Sequence, residues 1–141
     1  MHYPSLNKYK ELLNELLIPE NKLEKFDRYL YGKSNQDKVN KRTINPYFVM
    51  KKIKLGFEST LVLLSFAHKE GLIFPIYIIS NDNSTVLGEY HNPTNLPETI
   101  LDIDNNEYLD SESYKVDLYF GFTKDFEGDY SNLAQQINLV S

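Results

Sequence analysis

The chain has no cysteine and no tryptophan in its 141 residues. Without cysteine there are no disulfides, no thiol nucleophile and no thiolate metal ligands. That fits a cytoplasmic protein, which is the expected location. No apolar run reaches the roughly 18 residues a membrane helix needs, so no membrane association is expected. The first twenty residues are amphipathic and polar rather than a signal peptide. Glycine is scarce: six are scattered along the chain, and none builds a phosphate-cradling loop. The three histidines are equally dispersed. His2 is terminal, His91 falls in a loop, and His68 sits on an apolar helix, where a hydrogen-bonded structural histidine is the commoner case. No nucleophile stands in a motif. The acidic stretch 102–112 reads as solvated carboxylates before it reads as an acid–base pair. These absences point to a non-enzyme with no cofactor and no small-molecule substrate.

What is present is enough for a core. Hydrophobic residues make up 41% and aromatics 13%, with eleven Tyr and eight Phe. That excludes wholesale disorder and fits one compact domain or two very small ones. The tyrosines suit sheet surfaces and interfaces as well as core. The net charge of −5 is unevenly spread. Residues 1–56 carry twelve Lys/Arg against six Asp/Glu, whereas residues 57–141 carry three Lys against fourteen Asp/Glu. Such a split lets the two halves face different partners, or each other; a genome that favours Lys, Asn and Ile on solvated faces would also produce it.

Periodicity divides the chain. Ser5 and Pro4 open a helix whose apolar stripe is Leu6, Tyr9, Leu12, Leu13, Leu16 and Leu17, and Pro19 ends it. A second helix fits Lys22 to Tyr31, with Leu23, Phe26 and Leu30 on one face and Gly32 placed to stop it. Lys33 to Thr43 has one aliphatic residue, Val39, and reads as a basic linker. Asn45-Pro46 is a helix start, cap then first turn, for a helix to about Lys54. Leu55-Gly56 predicts a tight turn. The next helix runs from Glu58-Ser59 to Lys69 or Glu70 and stops at Gly71. Leu72 to Ile79 is a strand, and Pro75 places it at a sheet edge. Asn81-Asp82-Asn83-Ser84 turns it into a partner strand, Thr85 to Tyr90. Residues 91–100 form a loop with Pro93 and Pro97. Tyr114 to Phe122 alternates, with Tyr114, Val116, Leu118, Phe120 and Phe122 on one face. A short helix fits Asn132 to Leu139.

Helix, short turn, helix, glycine, strand is the layout of a winged helix-turn-helix, and residues 43 to about 80 resemble one. The following region, 77–122, resembles a zinc ribbon with every cysteine replaced. Ser80 and Asn83 hold one pair of ligand positions and Asp102 and Asn105 the other, with residues 84 to 101 between. Winged-helix-plus-ribbon units occur as small subunits and accessory proteins in bacterial multi-component systems, defence systems among them, and the resemblance implies a role of that kind. The expected fold class is therefore α+β, with N-terminal helices and basic linker in 1–42, a winged-helix core in 43–80, a ribbon-like antiparallel β subdomain in 81–124 and a polar tail in 125–141.

The four ribbon positions lack zinc chemistry, since only Asp102 offers a donor that zinc prefers. Asp102, Asp104 and Asn106 begin like a calcium loop, but Glu107 stands where glycine is needed and Ser113 where the closing glutamate belongs. Two hairpin turns whose Asn and Asp side chains cap their own backbone account for the pattern better than a metal.

Two partner classes remain. The helix around Leu61 to His68 is apolar nearly all round; the domain can cover two of its faces, and the third needs the N-terminal helices or a partner chain. That predicts a protein partner or a homodimer at Val62, Leu63 and Phe66, together with Leu12 and Leu16 of the first helix. The alternative is duplex DNA. Lys41, Arg42, Lys51, Lys52 and Lys54 would meet phosphates, and Ser59 and Thr60 would stand at the start of the reading helix, beside an unfavourable Glu58.

Overall fold

Three helix ends, each closed by one left-handed residue, set the course of the N-terminal half. In the computed structural model, which describes residues 1–36 and 43–123, a 3-10 helix over Pro4–Tyr9 runs into helix α1, Lys10–Glu15. Leu17 then adopts φ 59°. Its N–H donates to the Asn14 carbonyl at 3.1 Å, and that of Ile18 to the Leu13 carbonyl at 2.9 Å. These two bonds are a Schellman cap, and the apolar residue that follows, Ile18, is buried against the fold. The cap repeats at the end of α3 (Pro46–Ile53), where Lys54 is left-handed at φ 56°. It appears again after α4 (Phe57–Lys69), where Gly71 has φ 76° and Leu72 donates to the Ala67 carbonyl at 3.0 Å. Only the last of these uses glycine. Burying Ile18 is worth about 1.5–3 kcal/mol, against about 1–2 kcal/mol for a left-handed leucine. The cap therefore holds despite its residue type.

The expected helix stop at Gly32 is corrected, and the expected turn at Leu55-Gly56 lies between Ile53 and Phe57. Helix α2 spans Glu20–Ser34, so Gly32 lies inside it; no neighbouring atom comes within 4 Å of where its Cβ would be. Between α3 and α4, Gly56 has an extended φ of −62° and serves as the N-cap, while Lys54 makes the reversal. The Asn45-Pro46 start is as expected: the Asn45 side chain accepts from the Tyr47 N–H at 3.0 Å.

Five strands follow: β1 Ile73–Ser80, β2 Val86–Tyr90, β3 Thr99–Asp102, β4 Glu107–Asp110 and β5 Lys115–Phe122. One sheet has the order β2-β1-β5 and a second pairs β3 with β4. β1 is thus central, not an edge strand. Pro75 lies beyond the stretch of β1 paired with β2, Tyr77 to Ser80, so its missing N–H breaks no rung on that side. The β3–β4 hairpin is antiparallel, Thr99 opposite Asp110 through Asp102 opposite Glu107, and β3 takes residues expected to be loop. Of the alternating residues expected from Tyr114 to Phe122, Tyr114, Phe120 and Phe122 are buried, Leu118 is half-buried and Val116 is exposed.

The fold class is α+β, in two compact units. Among the described residues, the first comprises those from Met1 to Phe74 and from Phe120 to Thr123. Its core gathers Leu6, Leu13, Leu23, Phe26, Leu30, Val49, Leu63 and Leu64. Ile44 pairs with Phe120 through two backbone bonds of 2.7 and 2.9 Å. Asp27 on α2 is buried and accepts from the N–H groups of His2 and Tyr3, both at 2.8 Å, tying the start of the chain to α2. The second unit is Pro75–Tyr119, two hairpins with a thin core at Ile79 and Tyr114, whose hydroxyl donates to the Pro97 carbonyl at 2.7 Å. The expected division after residue 80 falls inside the β1–β2 hairpin, whose strands share their hydrogen bonds.

Candidate functional site

Three places carry the residues that the sequence singles out. The first is the pair of turns in the second unit. Asn81, the first residue of the β1–β2 turn, is buried. Its side-chain oxygen accepts from the N–H groups of Asn83 at 2.9 Å and Thr85 at 3.0 Å, a self-capping turn. Its amide nitrogen donates to Asp102 Oδ1 at 2.9 Å and Asp104 Oδ2 at 2.7 Å, which belong to the β3–β4 turn. Asp102 is buried and also accepts from the Asn105 amide at 2.8 Å and the Asp104 N–H at 3.1 Å. Asp104 also accepts from the Thr85 hydroxyl at 2.6 Å.

Of the four ribbon positions, only Asp102 and Asn105 meet. Ser80 is buried at the end of β1, and Asn83 is exposed, with its backbone N–H on Asn81. The residue that joins the two turns is Asn81, one place along from Ser80. The sequence marks it as a turn former; nothing local marks its reach to Asp102. Hydrogen bonds from Asn81 and Asn105 hold the Asp102 carboxyl below the usual carboxylate range, and those from Thr85 and Asn81 do the same for Asp104. Among the described residues no group of three or more His, Cys, Asp or Glu could hold a metal ion. Amides and hydroxyls of the protein itself serve these carboxylates.

The second place is the solvent face of α3. Lys51, Lys52 and Lys54 are exposed; Lys41 and Arg42 lie outside the described residues. Lys22 on α2 donates to the Ile53 carbonyl at 2.8 Å, completing the end of α3. Burial, then the positive charges of Lys25 and Lys54, push its ammonium pKa down. Sharing the face are two aromatics that the sequence reading passed over, Tyr47 (59% exposed) and Phe48 (60% exposed). The Tyr47 ring stacks on Phe57 with centroids 4.7 Å apart. Thr60 does not belong to any such surface: it is fully buried and its hydroxyl donates to the Gly56 carbonyl at 2.8 Å. Ser59 is half-buried.

The third place is the expected docking surface. Leu63 is fully buried and is core, a correction to its expected interface role. Phe66 is half-buried because Tyr9 stacks flat on it, centroids 4.1 Å apart and planes 7° apart. Tyr9 is held there by its hydroxyl, which donates to Glu70 Oε2 at 2.6 Å, while Lys8 pairs with Glu70 Oε1 at 2.6 Å. Burial and the Glu70 carboxylate raise the Tyr9 phenol to about 12. Hydrogen bonds from Lys8 and Tyr9 lower the Glu70 pKa. The N-terminal segment therefore covers part of the apolar surround of α4, and Val62 stays half-buried.

The uncovered apolar row lies on α1 instead. Leu12 is 40% exposed, Leu16 47% and Leu17 90%. The six-residue stripe spans too wide an arc for one contact face. Leu6, Tyr9 and Leu13 turn inward, and the other half of the stripe meets solvent. His68, expected as a structural histidine, is exposed with its Nδ1 3.0 Å from the Ile73 carbonyl. No helix among the described residues is long and apolar enough to cross a membrane. No protein-family model, curated protein or solved structure matches the chain.

Proposed function

We propose that this protein is a non-enzymatic docking subunit of a larger bacterial assembly, defence systems included, and that it seats the leucine row of α1 against a protein partner or a second copy of itself. The observation that carries this reading is Leu17. It stands 90% exposed in a left-handed backbone conformation. That position favours Gly or Asn, so a leucine there costs about 1–2 kcal/mol and gains nothing in the isolated chain. A partner that covers it recovers about 1.5–3 kcal/mol. Leu12 and Leu16, one helical turn apart and also exposed, extend the same row. Single exposed leucines are ordinary; three neighbours on one short helix and its cap are what supports docking.

The order of elements from α3 through β2 supports the winged-helix reading of 43–80, and the two linked turns support the metal-free ribbon reading of 77–122. The duplex-DNA alternative draws support only from Lys51, Lys52 and Lys54, because the start of α4 offers Glu58, a half-buried Ser59 and a buried Thr60 in place of base-reading side chains.

The test is light scattering with size exclusion on the wild type, Leu12→Glu with Leu16→Glu, and Leu17→Glu. The wild type should self-associate or co-elute with its partner, and both variants should abolish this while keeping the wild-type circular dichroism. A wild type that stays a monodisperse monomer and retains nothing in a pull-down sinks the reading.

A further inference from the structure

We infer that the solvent face of α3 is a binding site for single-stranded nucleic acid, with Phe48 as a stacking platform for one base and the surrounding lysines as phosphate contacts. The face follows from helix geometry. Val49 and Ile53 are buried, which turns Tyr47 and Lys51, and Phe48 and Lys52, outward as pairs one turn apart. Phe48 is 60% exposed, and no ring among the described residues stacks on it. Tyr47 has one face against Phe57 and is 59% exposed, so it stands beside Phe48 already braced.

The lysines on this face and beside the end of α3 are unpaired among the described residues. Among the described residues, Lys25, Lys51, Lys52 and Lys54 form no ion pair. Lys22 is committed to the Ile53 carbonyl, and its lowered pKa reflects burial and the cations beside it. Lysines at a helix C-terminus complement its dipole, and that alone would explain Lys51 and Lys52. It does not explain Lys25 on α2, nor two large aromatics on the same exposed face.

Alternating cationic side chains and exposed rings match a ligand that alternates phosphates and flat bases. A duplex hides its base faces within the stack, so it offers no flat surface to the exposed Phe48 ring, whereas a single strand does. The chain's net charge of −5 further disfavours a long wrap along duplex DNA and favours a short local contact. This surface uses residues distinct from the leucine row, and the inference does not depend on docking through α1.

Fluorescence anisotropy tests it, using labelled dT20, a labelled duplex of the same length, and the full chain at low salt. The expected result is binding to dT20 in preference to the duplex. The log–log salt slope should be about −3, from roughly 0.7 per phosphate over four lysines. Phe48→Ala should weaken binding roughly tenfold, and Phe48→Leu, which keeps an apolar side chain but loses the π face, should weaken it nearly as much. Lys51→Glu with Lys52→Glu should abolish it. Circular dichroism should be unchanged in all three, since every altered residue is exposed. No anisotropy change with wild type overturns the inference. So does equal or tighter binding to the duplex, full activity of Phe48→Leu, or displacement of dT20 by polyglutamate at equal charge, which would assign the face to an acidic protein.

Discussion

The side-chain amide of Asn81 donates to the buried carboxylate of Asp102 at 2.9 Å, across 21 residues of chain. With the bonds to Asp104 and Thr85, it ties the turn after β1 to the turn after β3. Two hairpins this small lack enough apolar surface to hold each other, and nature often adds a metal to such units. Here a network of satisfied polar groups links the two turns.

The first prediction concerns that link. Purified protein should contain no stoichiometric zinc by elemental analysis, and a chelator should leave its melting temperature unchanged. Asn81→Ala should lower stability by about 2–4 kcal/mol in urea melts, because it strands buried partners, whereas Asp82→Ala, at an exposed position of the same turn, should cost under about 0.5 kcal/mol, as surface changes usually do. A melting temperature that falls with chelator would return the site to metal chemistry.

Acid should loosen the same region. The carboxyls of Asp102, Asp104 and Glu70 are lowered from ordinary values of 3.8, 3.8 and 4.5. A depressed folded pKa gives stability that is fully present above the unfolded value and is lost as pH falls through the folded one. The urea midpoint should therefore hold above about pH 5 and drop steadily below about pH 4. Asn81→Ala should flatten this dependence. Asn81→Asp should reverse its sign over part of the range, because a third carboxylate beside Asp102 and Asp104 repels them at neutral pH and is relieved by protonation.

Two tyrosines should respond in opposite ways to removal of the hydroxyl. The Tyr29 hydroxyl is buried with no hydrogen-bond partner among the described residues, and burial raises its pKa to about 12. Tyr29→Phe should stabilise the protein by up to about 1 kcal/mol. Tyr9→Phe breaks the bond to Glu70 and should destabilise by about 1–2 kcal/mol. With its phenol raised from 10.0 to about 12 in the fold, Tyr9 contributes stability that is complete below the unfolded value and lost as pH climbs through the folded one. Absorbance titration of wild type and Tyr9→Phe would read this directly.

Leu17→Gly separates stability from docking. Glycine removes about 1–2 kcal/mol of left-handed strain and returns about 0.5–1 kcal/mol as chain entropy. Stability should rise slightly while self-association or partner binding falls. A rise in both would mean that Leu17 contributes nothing to docking.

Local signals decided much of this molecule. The Asn45-Pro46 start, the positions of α3 and α4, the Gly71 stop, the Asn81 turn and the α+β class are all legible in the sequence, because capping, turn formation and periodicity act within a few residues of chain. The replaced ribbon positions also showed that zinc lacks its preferred donors there. Tertiary structure decided the rest. It ended the first and third helices at left-handed Leu17 and Lys54 and carried α2 past Gly32, since burial of the following residue or the path of the next helix outweighs one residue's preference. It chose which half of the N-terminal leucine stripe goes inside, made Leu63 and Thr60 core, and put β1 at the centre of its sheet. It also joined Asn81 to Asp102 and Tyr9 to Glu70, partners 21 and 61 residues apart. Such pairs leave no local trace, because their energy depends on a separation in space that only the packed chain creates.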